Sequence, residues 1–285
     1  MGGGSWTTKA FASYTSDTRG LSVDDFSTGT FTAQEVYHSR RLAKELDPKN
    51  VMRECCDSEE HPNTLPVILA LDVTGSMGDA SVRVAQKLNE IMTTLYADET
   101  IKDIEFCVMG IGDLAYDDAP IQISQFESDI RIAEQLDKIY FEAGGGGNHS
   151  ESYTAAWYMG LNHCKLDCWN RGKKGIIITM GDELPNPYLP YFELAERVGD
   201  KPQGDIETSA LYKEVVEKFD VYHISIKDRS TSYEWYKRYN IDEQWTELLG
   251  DHYSISTLDG LPSQIVQIIQ NSANTYSTNS DEVSW

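Results

Sequence analysis

LALDVTGSMGDA, residues 69–80, brings an apolar run to Asp72 and then places Thr74, Ser76 and Asp79 within the next seven positions. The run from Val67 to Leu71 has the length and composition of a buried strand. Two carboxylates and two hydroxyls on the turn after it admit two readings. One is turn chemistry with helix capping; the other is a hard metal ion. Behind the turn, Val84, Leu88, Ile91, Met92 and Leu95 repeat at helical spacing, so the unit is strand, polar turn, amphipathic helix.

The same alternation continues along the chain. IEFCVMGIGD (104–113), PIQISQF (120–126, a shorter edge strand), KKGIIITMGDE (173–183), DVYHISIK (220–227) and HYSIST (252–257) read as strands. DIRIAEQLDKIY (129–140), TAAWYMGLNHCKL (154–166), ALYKEVVEKF (210–219), an aromatic helix with Tyr233, Trp235, Tyr236, Tyr239 and Trp245, and LPSQIVQIIQNSA (261–273) read as helices. Strands alternating with helices imply an α/β fold: a doubly wound, mostly parallel six-stranded sheet covered on both faces. Residues 1–63 are polar, Tyr-dotted and poor in apolar residues. They are expected to pack on the domain through Trp6, Phe11, Phe26, Phe31 and a helix over 33–46, opened by the Thr32/Glu35 capping box and stopped by Pro48. The domain proper is read as 64–275 and the tail 276–285 as frayed. Residues 183–207 read as a long loop, and no internal repeat is visible.

Composition narrows the function. The 285 residues carry a net charge of −22 with 40% hydrophobic residues. Such a field repels phosphate backbones and anionic membranes, so neither nucleic acid nor membrane is an expected partner. The opening MGGGSWTTKA has no apolar stretch of a signal peptide, and the five cysteines are an odd number; both fit reduced thiols in a cytoplasm. His163, Cys164 and Cys168 invite a zinc reading, with the two thiols one helical turn apart. No second pair completes four ligands, and buried structural thiols are the better reading.

In a doubly wound sheet, ligands sit beyond the carboxyl ends of the strands, where strand order reverses. Three such ends carry oxygen donors: Asp72, Thr74 and Ser76; the glycine-rich turn with Asn148, His149, Ser150 and Glu151; and Asp182 with Glu183. Oxygen donors suit Mg²⁺ or Mn²⁺ rather than zinc. Asp113, also at a strand end, has two readings, a residue lining the site or a solvated turn residue, and the solvated turn is the better one.

DVTGS resembles the DxSxS motif of von Willebrand factor A domains, with Thr74 as the second hydroxyl, and Asp182 matches the Asp that follows a later strand in that family. The resemblance covers roughly residues 64–271. It implies a metal-ion-dependent adhesion site formed by Asp72, Thr74, Ser76 and Asp182, loaded with Mg²⁺ (Mn²⁺ or Ca²⁺ as substitutes). The family commonly places a Thr in the second loop, where this chain has GGGGNHSES. Asn148 is the best placement for it, with Ser150 and Glu151 as rivals. The MGGGSW start, the REC–D–EEHPNT segment and ALDVTGSMG also resemble an uncharacterised bacterial and phage-associated group of such proteins. The family implies a protein-binding module that takes an Asp or Glu of a partner at the metal, and some bacterial members work beside MoxR-type AAA+ ATPases. A metal-dependent hydrolase is the other alternative. Thr74 stands where a haloacid-dehalogenase-type phosphatase needs its second Asp and where a nucleophile elbow needs Gly. No Walker A pattern occurs, and His149 has no evident orienting partner. The expectation is therefore not an enzyme.

Overall fold

The centre of the computed structural model is the strand that ends in Asp72. Val67, Leu69 and Leu71 enter one apolar cluster, while Ile68 and Ala70 enter a second on the opposite face. Period-two alternation with both faces apolar requires helices above and below the sheet. The structure describes residues 5–98, 101, 103–142, 150–227 and 237–278.

In chain order the N-terminal part forms α1 (Thr8–Arg19), α2 (Val23–Thr28), α3 (Ala33–Val36), a 3-10 turn (Lys44–Leu46) and β1 (Arg53–Cys55). Then come β2 (Leu65–Asp72), a 3-10 turn (Gly75–Met77), α4 (Gly78–Tyr96), β3 (Ile104–Ile111), β4 (Ile121–Ile123), α5 (Arg131–Leu136), β5 (Ser150–Glu151), α6 (Thr154–His163), β6 (Cys164–Leu166), a 3-10 turn (Asp167–Arg171) and β7 (Gly175–Gly181). The remainder is β8 (Leu184–Pro185), β9 (Tyr188–Leu189), α7 (Tyr191–Arg197), β10 (Ile206–Glu207), α8 (Thr208–Val215), β11 (Phe219–Ile226), α9 (Ile241–Leu249), β12 (Tyr253–Ser256) and α10 (Leu261–Thr278).

The main sheet has six strands in the order β12-β11-β7-β2-β3-β4. All pairs are parallel except the edge pair β3–β4. From β2 the chain turns to β3 on one side and later to β7 on the other. The strand order therefore reverses at β2, and a crevice opens at its carboxyl end. In register, Leu71 lies opposite Met180, so both strands release their chains at the same level of the sheet.

The N-terminal segment contributes to the first cluster. Trp6, Phe11 and Phe26 are buried there beside Leu88 and Leu136. Gln86, buried in mid-α4, donates from Nε2 to the carbonyls of Phe26 (2.7 Å) and Gly29 (2.8 Å), and Trp6 Nε1 donates to Asn89 Oδ1 at 3.0 Å. Tyr14 and Arg19 both bond the buried Asp137 carboxylate.

Several elements differ from their sequence reading. The helix expected over 33–46 ends at Val36. The capping box forms, with Thr32 N donating to Glu35 Oε2 at 2.8 Å. The chain then extends so that Tyr37 can bury its ring and donate to the Ser81 carbonyl, and Ser39 bridges to Tyr140. Helix α6 stops at His163, and Cys164–Leu166 becomes a strand parallel to β1. Cys164 and Cys168 thus lie on a strand and a 3-10 turn rather than one helix face, and all five thiols are free. Residues 183–207 are not a bare loop; they fold as β8, β9, α7 and β10, with β9 and β10 antiparallel. Helix α10 runs to Thr278, into the segment read as tail. Of the aromatic stretch, Tyr233, Trp235 and Tyr236 lie outside the described residues, while Trp245 is buried on α9.

A candidate metal centre at the carboxyl edge of the sheet

Asp72 ends β2 with no solvent exposure. Its Oδ1 accepts from Thr74 twice, from the backbone N at 2.9 Å and the hydroxyl at 2.5 Å. This local ring holds the chain in the turn that the residues two apart demand. Thr74 Oγ1 and Ser76 Oγ lie 3.5 Å apart. The Ser76 hydroxyl donates to Asp182 Oδ1 at 2.9 Å, a contact between residues 106 positions apart. Sequence therefore named four residues that the fold brings to one point: Asp72, Thr74, Ser76 and Asp182. Asn148, the fifth, lies outside the described residues, as does His149.

The other oxygen of Asp72 has a partner that sequence reasoning missed. Tyr153, at the start of α6 and wholly buried, donates its phenol to Asp72 Oδ2 at 2.7 Å and accepts from the Glu183 backbone N at 3.3 Å. One hydroxyl thus ties the end of β2 to the chain leaving β7. The Tyr153 ring lies edge-on to Trp245 (5.6 Å) and His223 (5.0 Å), which stack on each other at 3.7 Å. Trp245 Nε1 donates to the Glu183 carbonyl at 3.0 Å. Gly181 is needed for this arrangement, because a Cβ there would collide with the Tyr153 ring and hydroxyl. Nothing in the local pattern around Tyr153 marks it; the signal is its place directly before a helix that follows the glycine turn.

The electrostatics are those of crowded acids. Burial, followed by the charge of Asp182, pushes the Asp72 carboxyl up to about 7 against the pull of its bonds from Thr74 and Tyr153. Glu151 is 5% exposed and is pushed up to about 10 by burial and then by Asp72, Asp117, Asp113 and Glu183. Its Oε2 has no hydrogen-bond partner among the described residues. Asp113 is buried, not solvated: its Oδ1 accepts from Ala115 N (2.8 Å) and its own N donates to Asp117 Oδ2 (2.7 Å), making a closed acidic turn. His223, on β11, is held well below the usual histidine range by burial.

The donor set fits a hard divalent cation. It consists of two hydroxyls and two carboxylates from two strand ends; burial and then the charge of Asp182 raise Asp72, and a cation offsets both. Among the described residues, no three His, Cys, Asp or Glu side chains gather as a metal cluster. The oxygen donors that these residues bring together include the hydroxyls of Thr74 and Ser76.

No family model and no curated protein matches the chain. Solved structures do. The pilus adhesin SpaC from Lactobacillus rhamnosus GG, in its open conformation, superposes with a TM-score of 0.51 at 11% identity, over 80% of this chain and 31% of the adhesin. Proximal thread matrix protein 1 from the mussel byssus matches at TM-scores of 0.42 and 0.44, with 13% and 12% identity, over 76% of this chain and about half of that protein. One of those mussel structures is described as having a zinc-occupied MIDAS motif. The chain spans about a third of the adhesin's length. At 11% identity the likeness to the adhesin is one of fold alone. Among the described residues, no helix is long and apolar enough to cross a membrane.

Proposed function

We propose that the chain is a metal-dependent protein-binding module whose adhesion site takes an acidic side chain from a partner protein. Asp72, Thr74, Ser76 and Asp182 would hold the cation, Mg²⁺ by donor chemistry, with Asn148 as the contribution of the glycine turn. When bound, the cation supplies an electrophilic position for a partner's carboxylate oxygen. The chain's own residues prepare that position. Thr74 pins Asp72 from within the turn, Tyr153 pins it from α6, and Ser76 aligns Asp182 from the neighbouring strand end. The observation that carries the reading is the Ser76–Asp182 bond at 2.9 Å, which joins the two halves of the motif across the switch point of the sheet.

Titration calorimetry with Mg²⁺ on the wild type, Ser76→Ala and Asp182→Asn tests it. Ser76 is exposed, so its loss leaves folding intact while removing one donor. The expected result is saturable binding by the wild type and binding weaker by about tenfold or more in either variant. Equal binding by all three would overturn the reading. Affinity capture from lysate with and without EDTA then identifies the partner, which is expected only in the metal-loaded arm.

A further inference from the structure

Beside the metal centre lies a cavity of about 280 Å³ that the adhesion-site reading does not use. It opens between the acidic turn after β3, the strand β5 and the segment that enters α7. Asp113, Ser152 and Asn186 supply its polar wall, and Leu114, Tyr188 and Pro190 its apolar wall. Among the described residues, none that lines it is basic. The walls are built rather than incidental. Ser152 Oγ accepts from Leu114 N at 3.0 Å. Asn186 is buried, accepts from Thr154 N (3.2 Å) and donates to Thr154 Oγ1 (2.6 Å) and the Tyr188 carbonyl (3.0 Å). Arg197 of α7 reaches back to the carbonyls of Asp118 (2.9 Å) and Asp117 (3.2 Å), which latches the third wall to the first.

Two further features mark this edge as a contact surface. Four large aromatics are exposed on the segments that frame the cavity: Tyr116 (60%), Tyr188 (42%), Tyr191 (51%) and Phe192 (60%). Exposed aromatics in one region are what interfaces use and what solvated faces avoid. Carboxylates outnumber cations in this region. Asp117 is pushed up to about 6 by burial and by the charges of Glu142, Asp113 and Asp118, while the Arg197 guanidinium bonds the Asp117 and Asp118 carbonyls and pairs with Glu193 at 3.6 Å. Glu151, whose buried Oε2 has no hydrogen-bond partner among the described residues, lies in the chain between Ser150 and Ser152, both of which line the cavity.

We propose that the cavity seats a lysine or arginine side chain from a basic segment of the partner protein, next to the carboxylate that the metal centre receives. The volume admits one long side chain and stands at the small end of the range for ligand sites. An aliphatic stem packs on Leu114, Tyr188 and Pro190, and the cationic head meets Asp113, Ser152 and Asn186. The chain's charge of −22 complements such a segment at longer range. This inference rests on the adhesion-site reading for the partner's being a protein, but the cavity's own chemistry does not need the metal.

The test is amide-resolved NMR on the full chain with two small probes. Agmatine, an alkylguanidinium with no carboxylate, is added in EDTA; glutarate is added with Mg²⁺. Expected for agmatine are saturable shifts confined to residues 113–116, 150–152 and 186–190, unchanged by EDTA. They should be weakened about tenfold or more in Asp113→Asn and reduced in Tyr188→Ser. Asn at 113 can still accept the Ala115 N–H, so the turn keeps its shape. No localised shifts, shifts spread over the whole acidic surface, or equal binding by Asp113→Asn would each overturn the proposal. Glutarate reports separately on residues 72–76 and 182. If glutarate fails while agmatine binds, the metal reading falls and the cavity assignment is upheld.

Discussion

A carboxylate without solvent is costly, and the three hydrogen bonds to Asp72 offset only part of the cost. Its ordinary value is 3.8 and its folded value about 7. Between those values the folded, metal-free chain holds a proton that the unfolded chain releases. The sign follows: metal-free stability falls as pH rises through that window. A cation binds the deprotonated form, so Mg²⁺ affinity should run the other way, weakening about tenfold per pH unit below 7 and levelling above it. Calorimetry across that range checks this, and a flat affinity would contradict the coupling. Tyr153→Phe removes the phenol that shares the buried charge, at a cost of about 1–3 kcal/mol, read as a lower urea midpoint in the metal-free protein. An unshifted midpoint would mean that the phenol contributes nothing to holding Asp72. Of these residues, Asp72, Thr74 and Ser76 were legible because the motif is local, with donors two apart on a strand end. Asp182 was legible because strand ends of such sheets converge. Tyr153 and the burial of Glu151 and Asp113 were not, since each depends on how α6 and the acidic turn pack against the sheet.

Elements buried on both faces were legible at their own scale. β2, β3 and β7 are mostly apolar runs, and such runs have few alternatives to a covered parallel strand. Short polar elements were not. The capping box at Thr32 signals a helix start, but nothing local says that Tyr37 will leave the helix to reach the core. Likewise the prolines in 183–207 mark a break, but α7 is set by the latch of Arg197 on the 117–118 carbonyls and by Leu194, which is fully buried. Helix α7 therefore has an anchored side and an exposed aromatic side. Tyr191→Ser with Phe192→Ser should leave the melting temperature nearly unchanged, since exposed substitutions usually cost no more than about 0.5 kcal/mol. Partner binding should fall by about tenfold or more, as for lost aromatic anchors. Surface plasmon resonance against the captured partner measures it; unaltered affinity would move the contact surface off α7.

At the scale of the whole molecule, the N-terminal segment and the net charge act over the longest distances. Phe26 is buried in the same cluster as α4, and Gln86 is bonded to the Phe26 carbonyl. Phe26→Ala should cost about 3–5 kcal/mol in a single cooperative urea transition. Two separate transitions would show the segment to be an independent unit. The charge raises a different matter, because a chain at −22 repels acids while its proposed site receives one. The two effects differ in range. The net field is screened within about 8 Å at physiological salt, whereas a Mg²⁺–oxygen bond forms at about 2.0–2.1 Å. A partner that is basic around a single Asp or Glu satisfies both: its basic rim speeds encounter, and its one acid fixes the register. Salt and chelation should then act on different rate constants. Raising the ionic strength should slow association and leave dissociation nearly constant. EDTA should speed dissociation, because the bond that holds the docked state is the one removed. Plasmon resonance across salt, with and without EDTA, separates the two. If EDTA leaves the dissociation rate unchanged, no metal bridges the interface, and the aromatic edge with its cavity must hold the partner alone.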